Sequence, residues 1–131
     1  MTFTDSLDDA QVRALMQKAG TVVHASTHID YRGRFAHKPE LLGLAPLEAL
    51  ACGAPTLVSD AACLPELAII PGCRVFRSEA ELASMLQDAS AGLPPAPAAE
   101  VMHRAVEEHY GLLTVGRRLL EIVGAARPCV S

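Results

Sequence analysis

Tryptophan is absent from this sequence, and aromatic residues make up only 4% of its 131 positions. Half of the chain is nevertheless hydrophobic, so a core has to be assembled from Ala, Leu and Val, the composition of a helix-rich α/β protein rather than of a disordered chain. Basic excess is missing as well. A formal net charge of -4 offers no field for a phosphate backbone or an anionic lipid surface, which argues against nucleic acid and membranes as partners. No run reaches the roughly 20 apolar residues of a spanning helix. The acidic, polar opening MTFTDSLDDAQ also lacks the basic-then-apolar order of a secretion signal, so a cytosolic location is expected. Close cysteine pairs are lacking too: Cys52, Cys63, Cys73 and Cys129 are separated by 11, 10 and 56 positions, without the C-x-x-C spacing of zinc knuckles or redox motifs. The expectation is three small buried apolar thiols and one on a loose tail, with no metal or cofactor.

What is present is an alternation of helical and strand-like segments. The length fits one domain over residues 1–131. Ser6 and Asp9 read as a capping pair ahead of a first helix whose Leu7, Ala10, Leu15 and Ala19 share a face, with Gly20 ending it. A β-branched run over Thr21 to Ala25 predicts a strand, followed by an irregular, cation-bearing stretch, STHIDYRGRFAHKP, from Ser26 to Pro39. Pro46 suits the first turn of a second helix carrying Leu47, Leu50 and Ala51, with Gly53 as its left-handed exit. Strands are expected at Thr56 to Ser59 and Cys73 to Phe76, with a short helical piece around Pro65 to Leu67. Ser78 and Glu81 form the next capping box, for a helix reaching about Ala89. A stiff, exposed, Pro-rich linker follows at 91–97, then helices near Ala98 to His109 and Val115 to Ala126, the second capped by Thr114. This rhythm predicts a three-layer α/β sandwich: a small parallel sheet flanked by helices, with an uncovered strand edge.

The stretch from Glu40 to Asp60 carries the chemistry. Gly43 turns the chain into a helix start near Leu44 to Pro46, where free backbone N–H groups and a partial positive charge suit a phosphate. Glu40 and Glu48, with seven residues between them, flank that spot and could accept hydrogen bonds from sugar or ribose hydroxyls. The plain alternative for Glu48 is a solvated carboxylate favoured by the helix dipole. Other groupings are weaker. His24 and His28 stand four apart but across a strand end and a loop, and Ser26, His28 and Asp30 lack the elbow that exposes a hydrolase nucleophile. Asp60 and Glu66 sit at turns, where an acidic side chain commonly bonds its own backbone.

Glu40 through Asp60 resembles the signature of family 4 (group 1) retaining glycosyltransferases, E-G-F-G-L-x-x-x-E-A-M-A-C-G-x-P-V-V-A-S-D. Leu64-Pro-Glu-Leu67 is similar to the family's G-L-P-E-x-V, and Ser78-Glu-Ala-Glu-Leu-Ala to the helix after its last short strand. The resemblance implies a partial Rossmann-like GT-B C-terminal lobe that binds a nucleotide-sugar donor. Carried over position by position, it assigns Glu40 to the sugar hydroxyls and Glu48 to the ribose. It also assigns Leu42, Gly43, Leu44 and Ala45 to the turn whose backbone approaches the sugar and diphosphate. Leu41 replaces the family's usual Gly and Leu42 its aromatic residue. The family's diphosphate-binding Arg and Lys and its acceptor lobe lie upstream of the matching region. The chain alone is therefore expected to be inactive and to need a partner polypeptide; Arg32, Arg34 and Lys38, close to Glu40 in sequence, are the candidates to substitute for the missing cations. The alternative expectation is a non-catalytic interaction module that kept the fold and self-associates through its open sheet edge.

Overall fold

The computed structural model of the chain describes residues 6–26 and 43–125. Its elements run α1 (Asp9–Lys18), β1 (Val22–His24), α2 (Leu44–Ala51), β2 (Thr56–Ser59), a 3-10 helix (Leu64–Ile69), β3 (Cys73–Phe76), α3 (Glu79–Ser90), α4 (Ala99–Tyr110) and α5 (Leu112–Ala125). The three strands form one parallel sheet in the order β1-β2-β3. Parallel neighbours need a crossover; α2 supplies the first and the 3-10 helix the second. The register aligns Val22 with Thr56 and Thr56 with Cys73, so alternate residues of all three strands share a face.

One face holds the core. Val58 and Cys73 project into a cluster with Leu47 and Leu50 of α2, Leu64 and Leu67 of the 3-10 helix, Ile70, and Met102 of α4. Thr56, fully buried on the same face, turns its hydroxyl back to the Ala54 carbonyl at 3.0 Å, which satisfies the donor without water. The opposite face carries Leu57, Arg74 and Phe76. Leu57 and Arg74 line a hollow of about 210 Å³ with Ala89 of α3 and the Leu93–Pro97 stretch. Helices thus flank both faces of a small parallel sheet, the expected α/β architecture. Residues 91–96 are exposed and Pro97 is half-buried.

Local details differ from the expected ones for identifiable reasons. The cap of α1 is Asp8, whose carboxylate accepts from the Gln11 N–H at 2.8 Å while Gln11 accepts from the Asp8 N–H at 3.0 Å. Ser6 lies two residues outside, at φ 55°. A reciprocal box built on a carboxylate also complements the helix dipole, an advantage a serine lacks. At α3, Ser78 accepts from the Glu81 N–H at 3.1 Å, but Glu81 bonds the Arg77 N–H at 2.7 Å instead of closing the box on Ser78. α5 starts at Leu112, with the Gly111 carbonyl accepting from Val115, so Thr114 is inside the helix and not its cap. Its hydroxyl instead reaches the Glu107 carbonyl of α4 at 3.5 Å. Of the cysteines, only Cys73 is buried; Cys52 and Cys63 are half-buried, and Cys129 lies outside the described residues. No helix among the described residues is long and apolar enough to cross a membrane.

Candidate functional site

Parallel strands place all their carboxyl ends on one side, and the residues that follow each strand gather there. Ser26 follows β1, Asp60 follows β2 and Arg77 follows β3. Two of these ends are tied by Ser59, whose Oγ accepts from the Ser26 N–H at 2.9 Å and donates to the Ser26 carbonyl at 2.8 Å. The β2 and β3 ends are tied by the Arg77 guanidinium, 3.5 Å from the Asp60 carboxylate; it also lies 3.9 Å from that of Glu81, four residues on. Both ties join residues that local patterning does not pair. The signal that could have found them is positional: each falls at, or within two residues of, the end of a strand.

α2 begins at this same end. Gly43 is its cap residue, buried and at φ 66°, ψ 59°, the left-handed region where an L side chain is strained. Space closes the position as well: a Cβ at Gly43 would lie 2.6 Å from Leu64 Cδ2 and 3.1 Å from Pro46 Cγ. The first intrahelical bond runs from the Leu47 N–H to the Gly43 carbonyl, and Pro46 has no N–H to place. The N–H groups of Leu44 and Ala45 are therefore first-turn donors without intrahelical partners. Both residues are exposed, Leu44 at 62%. At the far end Gly53, at φ 84°, closes the helix and leaves no room for a side chain against Ala99 of α4.

Glu48 is exposed one turn into α2, four residues after Leu44 and hence on the same helix face. Helical side chains lean toward the N-terminus. The carboxylate accordingly lies on the Leu44 face and leans toward the start of α2. Glu48 also lines a hollow of about 330 Å³ between α1 and α2, with Asp9, Val12, Arg13 and Met16 on the opposite wall. The structure thus brings Gly43, Leu44, Ala45 and Glu48 to one end of one helix. Glu40 and Leu42, together with His28, Asp30, Arg32, Arg34 and Lys38, lie outside the described residues. Asp60 is engaged by Arg77, not by its own turn. Among the described residues, no three His, Cys, Asp or Glu side chains are grouped to hold a metal ion.

Comparison with known families decides the assignment: the family model described as glycosyl transferases group 1 matches residues 1–88, about two thirds of the chain. The chain belongs to this family. The matched region runs from the start through most of α3 and so contains the whole three-stranded sheet and the Gly43 turn. α4 and α5 of this glycosyltransferase domain lie beyond it. No curated protein and no solved structure matches the chain.

Proposed function

We propose that this glycosyltransferase group 1 domain binds the nucleotide-diphosphate-sugar donor at the start of α2, as the later part of the C-terminal lobe of a retaining, GT-B type enzyme. One observation carries the reading: Gly43 holds a left-handed turn into α2, whose first two residues, Leu44 and Ala45, are exposed at the carboxyl end of a parallel sheet and have no intrahelical partner for their N–H groups. Ligands of open α/β sheets sit at that end, and a helix N-terminus there suits a diphosphate. Glu48, on the Leu44 face, accepts hydrogen bonds from the ribose. Glu40 takes the sugar hydroxyls, and Leu42 lines the sugar side.

The donor's role is to transfer its glycosyl group to an acceptor. Transfer requires donor and acceptor held in register and cations on the leaving diphosphate. Acceptor binding falls to a further lobe, of the same polypeptide or of a partner, and this domain alone transfers no sugar at a useful rate. A ribose contact and a few backbone donors are worth affinity of about millimolar order, roughly 4 kcal/mol.

Calorimetry with uridine, guanosine and adenosine diphosphate sugars, on the chain and on Glu48→Ala, tests this directly. Weak binding of one nucleotide class that is lost in Glu48→Ala is expected. Tight binding that survives the substitution places the site elsewhere, and transfer by the purified domain alone defeats the requirement for a further lobe.

A further inference from the structure

α1 ends where β1 begins, so its first turn stands at the carboxyl end of the sheet, beside the start of α2. The hollow of about 330 Å³ between the two helices therefore opens next to the proposed donor site, and Glu48 lines it. Half-buried Val12 and Met16 of α1 and Ala51 of α2 give it an apolar floor, while Asp9, Arg13 and Glu48 stand exposed around it. Asp9 and Arg13 are four residues apart, the spacing at which an acid–base pair on a helix ordinarily closes. Here they do not meet: among the described residues, neither they nor Glu48 form an ion pair or a side-chain hydrogen bond. Capping does not occupy Asp9 either, since Asp8 caps α1.

We propose that this hollow holds the base of the donor nucleotide and that Asp9 and Arg13 select guanine. The inference rests on the donor reading above. With the diphosphate at the Leu44 and Ala45 N–H groups and the ribose on Glu48, about 6 Å further along α2, the base continues in the same direction, toward Ala51 and Met16. The volume is at the low end for ligand sites and suits a base, not a whole nucleotide-sugar. A base needs an apolar bed for its faces and polar groups at its edges, which is the arrangement of floor and rim here. The edges decide which base. Guanine carries an adjacent acceptor pair, O6 and N7, suited to a bidentate guanidinium. It also carries an adjacent donor pair, N1–H and the 2-amino group, suited to a bidentate carboxylate. Adenine and uracil lack both pairs. Glu48 is committed to the ribose, which leaves one guanidinium and one carboxylate, the set that guanine satisfies.

Calorimetry of the full chain with guanosine, inosine, adenosine and uridine diphosphates tests the selection. Inosine differs from guanosine only by the missing 2-amino group, so it isolates the carboxylate contact. The guanosine compound is expected to bind about tenfold more tightly than each of the others. Asp9→Asn, which leaves the Asp8 cap in place, removes the advantage of guanosine over inosine. Arg13→Gln narrows its advantage over adenosine and uridine. Both side chains are exposed, so the circular dichroism spectrum and the binding of uridine diphosphate stay as in the wild type. Equal affinity for all four compounds, preference for another base, or a guanosine preference unmoved by either substitution overturns this inference and leaves the donor reading standing. Failure of all four to bind overturns the donor reading, and this inference with it.

Discussion

Gly43 and Leu64 are in contact at the hinge of the candidate site: a Cβ at Gly43 would stand 2.6 Å from Leu64 Cδ2, and Leu64 is completely buried. The turn that opens α2, the proposed donor site, is thereby packed directly against the core, so the proposed binding and the stability of the fold share one residue. Gly43→Ala combines a positive φ with a steric clash that a core leucine has no free volume to relieve. The expected loss is about 2–4 kcal/mol in urea unfolding. A variant as stable as the wild type would show that the turn rearranges.

Ser59 ties β1 to β2 through two hydrogen bonds to Ser26, and Ser59→Ala removes both. Part-buried backbone groups lose their partners, and a cost of about 1–2 kcal/mol is expected. Arg77→Ala removes the exposed contacts to Asp60 and Glu81, which water screens, and shifts stability by no more than about 0.5 kcal/mol. The two substitutions, compared in the same denaturant series, should rank in that order. The reverse order would mean that the charged tie, not the serine clasp, holds the strand ends.

Burial pushes the Cys73 thiol up to about 11 from its ordinary 9.0. The folded state therefore holds this proton where the unfolded chain has released it, so unfolding is favoured as pH rises. The stability tied to the protonated thiol is complete below pH 9 and is lost between pH 9 and about 11. Tyr110, raised by burial and by the charge of Glu66, adds to the same alkaline loss. Thermal unfolding of wild type and Cys73→Ala across this range checks the effect: the variant, though less stable at neutral pH, should have the shallower alkaline slope. Peptide mapping after alkylation at pH 8 should label Cys73 more slowly than the half-buried Cys52 and Cys63.

Met102 is the α4 residue that enters the main cluster, at 1% exposure. Met102→Ala leaves a cavity between α4, α2 and the 3-10 helix. The expected cost is about 2–4 kcal/mol, measured as a shifted urea midpoint. A loss below 1 kcal/mol would mean that α4, which lies outside the family-matched region, is only loosely attached.

Elements that carry their own punctuation were legible in the amino-acid order. β2 and β3 run over Thr56–Ser59 and Cys73–Phe76 as expected, because short runs holding strand formers (Thr56 and Val58; Val75 and Phe76) are bounded by Gly53 to Pro55 and by Pro71-Gly72. The turn at Gly43 and the helix start at Leu44 were legible for the same reason: glycine followed by proline three positions later admits few other conformations. Helix starts with competing caps were not. Ser6 and Asp8 both precede α1, and only the reciprocal bonds of Asp8 with Gln11 select between them. Ser26 and Ser59 are 33 residues apart, and nothing local to either pairs them until parallel strands bring their ends together. The direction in which α5 faces is likewise tertiary. Periodicity defines its apolar arc, but which side faces inward is decided by contacts with the last turn of α4, from Thr114 to the Glu107 carbonyl and from Arg118 to the His109 carbonyl. That choice turns the polar edge inward and leaves the leucines facing out.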